Sequence, residues 1–447
     1  MNRIAKHIYC FCTQKYYNTT IYVFYIYIAK LFITMSKLNN IVLLLLSSFI
    51  LTATNINAAI TNDDIYSTLG FDQEVLFANN NNKNNNDITI DWTDVSTMDV
   101  SNRAPFPSNL KRKSFFDRLP AEAENTVRSP VWTLSTMSAG FYVDFQTESS
   151  FLQLNITYRY ETMSMWHFPA TGCSGMDLYN FDYNTSTWRW TSTTTIMKYP
   201  QSINHMITVP AQTTHPTEIP LYRLHLPTYN GIKYLAIGHD TRYPLIQPKQ
   251  KKLIENHNNN KKPIVWYGTS ILQGAVASRP GMIFTNWISR NIQREIYNFG
   301  FSGNGIMEIN VANYLTTIDA SVFIIDCLPN MNATLVTNRT IPLVDYIREK
   351  HPTTPIILVA GTWYGDHWFD PTPNDSKRQA LVEKYNELIA KTGDKDLYLI
   401  ENSKDELFNE EVLINPTVGG THPSDLGHME ITKFYTKYLN DLLKKYE

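Results

Sequence analysis

The sequence predicts an α/β protein in two parts. A three-layer α/β/α domain over residues 263–447 is preceded by an antiparallel, jelly-roll-like β-sandwich domain over residues 126–245. Three observations carry this expectation. Between 130 and 240 short apolar-alternating runs are separated by Gly, Asn, Pro and Ser clusters, the pattern of antiparallel strands with tight turns. Beyond 263 short apolar runs alternate with helical periodicity, the pattern of a parallel sheet covered on both faces. A polar, Asn-rich stretch, 246–262, lies between the two and reads as a linker. The length of 447 residues agrees with more than one domain.

Residues 1–59 read as leader and signal peptide. Lys37 precedes an apolar run at 41–53, and Ala58-Ala59 offers small residues for cleavage, so translation is expected to start at Met35. The run is shorter than the ~20 residues of a membrane span. A second apolar run at 21–33 keeps a signal anchor as the alternative. Residues 60–125 follow as an Asn-rich tether, with Asn79 to Asn86 broken only by Lys83, and an irregular arm carrying Trp92, Phe106, Phe115 and Phe116.

In the β domain, 141–145, 152–158, 188–194, 221–226 and 234–238 read as strands. In the second domain, strands at 264–267, 296–299, 322–325, 356–359 and 397–400 alternate with helices near 283–294, 341–350, 376–391 and 425–444. Met429, Ile431, Phe434, Tyr438, Leu439 and Leu442 are expected on the buried face of the last helix.

A formal net charge of −2, from 39 basic and 41 acidic residues, gives no electrostatic basis for nucleic-acid binding. The 43% hydrophobic and 13% aromatic content suffices for packed cores. Without Cys-x-x-Cys, His-Glu-x-x-His, Walker or dinucleotide-type glycine patterns, no metal or other cofactor is expected. Outside the leader the cysteines are Cys173 and Cys327, in different expected domains, and they read as two free thiols. Export is also suggested by Asn-x-Ser/Thr acceptors at Asn155, Asn184, Asn332, Asn338 and Asn374. No membrane partner is expected after signal cleavage.

The chemistry gathers at strand ends. Ile264 to Tyr267 runs into Gly268-Thr269-Ser270, placing Ser270 where open α/β sheets hold ligands, as a candidate nucleophile. The turn from Asn298 to Gly305 includes Gly303, whose N–H is a candidate oxyanion donor together with that of Ser270 and the amide of Asn330. His422, in a loop ahead of the last helix, is the candidate base. Asp425 opens that helix and reads as capping it, and His428 as a surface or packing residue. Trp363 and His367, in an aromatic loop after a strand, are candidate pocket residues, and Asp366 beside them is a candidate acid.

Together these residues resemble the SGNH or GDSL hydrolase superfamily over about 263–447. Gly268-Thr269-Ser270-Ile271 looks like its first block with Thr for the usual Asp, Gly303 fits the second, Asn330 the third and His422-Pro423 the fifth. Upstream, Gly175-Met176-Asp177-Leu178-Tyr179 resembles the Gly-x-Asp-Leu-Tyr signature of a β domain preceding some of these hydrolases, and residues 226–231 its later hairpin. Asp177 and Tyr179 are thereby candidates for the substrate pocket, a tight β-turn being the other reading. The resemblance implies a secreted serine esterase or acylhydrolase acting on a small ester or an acetylated carbohydrate; a catalytically degenerate carbohydrate-binding protein is the alternative.

One position departs from the family pattern. Gly419 stands three residues before His422, where an Asp is usual. A backbone carbonyl, or Asp366 or another acid, is left to orient the imidazole; if a carbonyl does so, Gly419→Asp is expected to raise kcat, provided glycine is not needed there for a positive φ that Asp adopts less readily.

Overall fold

The structure is a computed structural model and describes residues 89–207, 218–248, 261–361, 370–401 and 416–446. The first domain contains β1 (Ile90–Asp94), β2 (Val100–Ser101), α1 (Ser129–Ser135), β3 (Tyr142–Gln146), β4 (Leu152–Tyr158) and α2 (Ala170–Cys173). It continues through β5 (Asp177–Asp182), β6 (Thr187–Thr193), β7 (Gln201–Ile207), β8 (Leu221–His225) and β9 (Ile232–Asp240). These strands form two antiparallel sheets, ordered β1-β9-β4-β7 and β2-β3-β8-β5-β6. Period-2 alternation decides which side chains enter the core. In β4, Leu152, Leu154, Ile156 and Tyr158 point inward and meet Val143 and Phe145 of β3, Tyr222 and Leu224 of β8, and Leu235 and Ile237 of β9.

The expected arm over 60–125 is, from Ile90 onward, part of this domain. β1 pairs antiparallel with β9 from Ile90↔Asp240 to Asp94↔Ala236, and β2 pairs with β3. These strands add main-chain pairing and bury little side-chain surface, so Ile-Asp-Trp-Thr-Asp shows no buried-strand pattern. The β domain therefore begins well ahead of residue 126.

The second domain contains β10 (Ile264–Gly268), α3 (Ser270–Gln273), α4 (Phe284–Ile292), β11 (Ile296–Gly300), α5 (Ile309–Leu315) and β12 (Val322–Asp326). Then come α6 (Ala333–Lys350), β13 (Ile356–Val359), α7 (Thr372–Thr392), β14 (Leu397–Ile400), β15 (Thr417–Val418), β16 (His422–Pro423) and α8 (Asp425–Leu443). All the pairings in the sheet β11-β10-β12-β13-β14 are parallel. Alternation along β10 sends Val265 and Tyr267 to one face, against Val311 of α5, Leu343 of α6 and Leu381 of α7. Ile264 and Trp266 go to the other, against Ile288 of α4 and Tyr435 and Leu439 of α8. Fully burying such a side chain contributes about 1.5–3 kcal/mol, which makes three layers the stable arrangement.

Two helices differ from expectation. α6 starts at Ala333, capped by Asn332 accepting from the Leu335 N–H, and carries Pro342 in its interior instead of near its start. In α8 Tyr435 is fully buried, while Phe434 and Tyr438 pack at the rim.

The edge strand β11 is covered by residues 102–137. Asn102 Oδ1 accepts from Ile296 N at 3.0 Å, and the buried Arg118 guanidinium donates to the carbonyls of Asn298, Gly300, Leu134 and Met137 at 2.8–2.9 Å. Burial pulls the Arg118 pKa down to about 9, which still leaves it protonated at neutral pH. This covering removes an exposed strand edge and ties the N-terminal segment to the second domain.

Cys173 and Cys327 are buried and unpaired. Among the described residues no helix is long and apolar enough to cross a membrane. The expected signal peptide lies outside the described residues. Of the expected sugar acceptors, Asn184, Asn332 and Asn338 are exposed, and Asn155 is half-buried in β4. Asn374 is 6% exposed at the start of α7, where a glycan does not fit the folded chain.

Candidate active site

β10 lies at the point where the sheet order reverses, with β11 on one side and β12 on the other. Its carboxyl end opens into the crevice that such a reversal creates. Thr269 caps α3, accepting from Ile271 N, and Ser270 is the first residue of that short helix, 8% exposed. The turn after β11 closes tightly on it. Phe301 N donates to Gly268 O at 3.0 Å and Ser302 N to Gln273 Oε1 at 3.0 Å. A Cβ at Gly300 would stand 2.3 Å from Gln273 N, and one at Gly305 1.9 Å from Gly268 O, so only glycine permits this approach.

His422 arrives on the β15–β16 hairpin. Its Nε2 is 2.8 Å from Ser270 Oγ, although the two residues are 152 positions apart. The hairpin turns through Gly419 (φ +66°) and Gly420 (φ +74°), both left-handed. This explains glycine at 419: the turn that presents the histidine needs a conformation that costs an L-residue roughly 1–2 kcal/mol. A Cβ at Gly419 would meet Trp166 at 3.9 Å. Among the described residues no carboxylate forms an ion pair with His422; the His167 ring faces it at 5.6 Å between centroids. Burial, and secondarily the charge His167 can carry, hold the His422 pKa below its ordinary value. A neutral imidazole accepts the proton of a serine hydroxyl.

Asn330 ends the turn after β12. With its amide oxygen turned to the loop, it accepts from the main-chain N–H groups of Asn304 (3.0 Å), Gly305 (3.2 Å) and Gly303 (3.3 Å). We adopt this orientation because three donors converge on one amide atom, outweighing the single 3.4 Å contact to Phe301 O made in the other orientation. The amide nitrogen then takes the side that the oxygen leaves. In this arrangement Gly303 N–H is directed at Asn330.

Sequence reasoning placed Asp177 and Tyr179 in the substrate pocket, and the structure places them in the seam between the two domains. Asp177, with its side chain fully enclosed, accepts from Arg279 Nη1 (2.6 Å), Gly281 N (3.0 Å) and Trp190 Nε1 (3.1 Å). Tyr179 Oη accepts from the same Arg279 nitrogen at 2.7 Å, and the Arg290 guanidinium lies 4.5 Å over its ring. Burial pushes the Asp177 carboxyl upward, and the Arg279 charge opposes that shift. The Gly-x-Asp-Leu-Tyr segment is thus a latch holding the β domain against the loop that leads into α4. Trp363, Asp366 and His367 lie outside the described residues.

Three further residues lie close to the site. Tyr229, within the 226–231 hairpin quoted above, donates from Oη to the Ser270 carbonyl at 3.3 Å. Asp425 accepts from Ser278 N (2.8 Å) and Ser278 Oγ (2.5 Å), tying α8 to the loop after α3 instead of capping the helix. His428 is buried, with its pKa lowered to about 4 by burial, and is a packing residue.

This geometry can be set beside known proteins. Residues 261–440 match the GDSL-like Lipase/Acylhydrolase family, and residues 90–245 match the GxDLY family, described as the N-terminus of Esterase_SGNH_hydro-type. The chain belongs to the SGNH/GDSL hydrolases. It is therefore a hydrolase of ester bonds. No curated protein matches this SGNH/GDSL chain. A solved structure described as a GDSL-like lipase from Bacteroides ovatus is 29% identical, covering 80% of this chain and 98% of that one with a TM-score of 0.69. The salicylyl-acyltransferase SsfX3 from a tetracycline biosynthetic pathway is 16% identical, covering 80% and 96%, with a TM-score of 0.56. A family two carbohydrate esterase from Cellvibrio japonicus is 11% identical, covering 80% and 99%, with a TM-score of 0.51. The last two share the fold.

Proposed function

We propose that this SGNH/GDSL hydrolase is a secreted serine esterase that removes a small acyl group, such as acetyl, from a carbohydrate through Ser270 and His422. The observation carrying this is the 2.8 Å contact between Ser270 Oγ and His422 Nε2 at the carboxyl edge of the parallel sheet. Ser270 Oγ attacks the ester carbonyl while His422 Nε2 takes its proton. The Ser270–carbonyl bond forms, and the carbonyl π pair becomes an oxyanion that the Ser270 main-chain N–H and the Asn330 amide stabilise, while Gly303 N–H, directed at Asn330, orders the loop instead of serving as the donor expected from the sequence. Collapse expels the alcohol, which leaves with the proton from His422; water then repeats the sequence on the acyl-serine and releases the acid.

The carbohydrate reading rests on the aromatic-rich β module and on the export signals in the sequence; the carbohydrate esterase from Cellvibrio japonicus, alike in fold, agrees with it. A sound Ser–His contact is also what a degenerate binding protein would not need to keep. Turnover of short-chain acetate esters by the purified protein tests the proposal. Ser270→Ala and His422→Ala are each expected to reduce kcat at least about a thousandfold with folding intact. Undiminished turnover in Ser270→Ala would reject the assignment. Mass spectrometry of secreted material is expected to find a mature terminus near Ile60 and sugar on Asn184, Asn332 or Asn338.

A further inference from the structure

The segment 163–168 projects from the β domain to the rim of the Ser270–His422 site. It is pinned by a pair of main-chain bonds between Met165 and Phe168 (2.9 and 3.1 Å) and by Ser174 Oγ donating to Met163 O (2.9 Å). Phe168 anchors it in an apolar cluster with Tyr229, Ala275 and Val276. Trp166 at its tip is 89% exposed, far more than the other exposed large apolar side chains. The indole lies on His167 with ring centroids 4.4 Å apart at 32°, and His167 faces His422. An aromatic face left in water on a pinned main-chain segment beside a reacting pair forgoes burial worth a few kcal/mol and is open to a ligand.

The direction of the chemistry tells which half of the ester meets it. His422 returns its proton to the departing alkoxide, so the alcohol portion of the substrate must sit on the His422 side of Ser270. His167 and Trp166 stand on that side. We propose that Trp166 is a specificity-determining residue that stacks against a pyranose ring carrying the ester, and so selects the alcohol and not the acyl group. A pyranose fits a single solvent-facing indole: its C–H face packs on the ring while its hydroxyl rim stays hydrated. An alkyl chain would instead need enclosure on all sides. This inference rests on the Ser270–His422 reading.

The test compares Trp166→Ala and Trp166→Phe with the wild type on an acetylated methyl pyranoside and on ethyl acetate, whose alcohol has no ring. Trp166→Ala is expected to lower kcat/KM on the pyranoside about tenfold, through KM, as a lost stacking contact does. Trp166→Phe should recover most of this loss, and ethyl acetate turnover should stay within about twofold. Equal losses on both esters would mark Trp166 as structural, and no loss on the pyranoside would overturn the proposal. Calorimetric titration of Ser270→Ala with the same pyranoside keeps the two readings apart. A dissociation constant about tenfold weaker in Ser270→Ala/Trp166→Ala than in Ser270→Ala supports the stacking role whether or not the wild type turns over. An unchanged dissociation constant in the double variant refutes it.

Discussion

Replacing Asp177 by Asn separates a latch from a substrate contact. The change keeps the shape and removes the charge that faces Arg279 Nη1 at 2.6 Å. Breaking a buried ion pair from one side costs about 3–5 kcal/mol, because the surviving charge is left uncompensated. Arg279 is 21% exposed and keeps Tyr179 Oη at 2.7 Å, so water and the phenol recover part of the loss. The lower end, about 3 kcal/mol, is therefore expected. Of the remaining partners, Trp190 Nε1 and Gly281 N are donors, and an amide can serve only some of the three donors that the carboxylate accepts. Urea unfolding followed by tryptophan fluorescence gives the stability, and ester turnover measured below the transition gives the activity. Asp177→Asn should lose stability while kcat at low urea stays within a few-fold of wild type. In Asp177→Asn/Arg279→Met no charge remains unpaired, and part of the stability should return. The latch is refuted if Asp177→Asn costs under about 1 kcal/mol while kcat/KM collapses, since the carboxylate would then be acting on substrate.

Further outcomes are expected. Asn330→Ala removes an amide that orders the 303–305 loop and, on the proposed mechanism, donates to the oxyanion, and should lower kcat about a hundred- to a thousandfold with little change in KM, measured by steady-state kinetics. The base must be neutral, so activity falls as pH drops through the His422 pKa; burial and His167 lower that pKa, and the acid limb of kcat/KM should lie below the ordinary histidine value of about 6.5. His167→Phe removes one cause of the lowering and should move the limb upward, whereas Asp326→Asn, which removes a carboxyl that burial raises to about 7, should leave it in place. Gly419→Asp places a side chain at φ +66° with its Cβ toward Trp166; stability should fall by about 1 kcal/mol and kcat should not rise, because the positive φ is the condition under which the sequence expectation of a gain does not apply. A rise would mean that the new carboxylate reaches His422.

The parallel sheet was legible because its strands are buried on both faces and read as continuous apolar runs, as in Ile264 to Tyr267. Ser270 and His422 were legible for a related reason: each follows a strong local signal, a strand that stops at glycine and a Gly-Gly turn ahead of a helix. The edge strands β1 and β2 were not, since what holds them is main-chain pairing, which leaves no mark in side-chain pattern. Asp177 shows the limit most plainly. Sequence motifs record that a carboxylate is there but not what faces it; only the folding of Arg279 and Gly281, more than a hundred positions on, turns it into a latch. The same holds for Gly419. Its lack of a carboxylate is visible in the chain, but the left-handed turn that requires glycine there, and brings His422 within 2.8 Å of Ser270, exists only once the hairpin has closed. Short-range periodicity determines elements, while partners set by long-range packing depend on the whole tertiary structure.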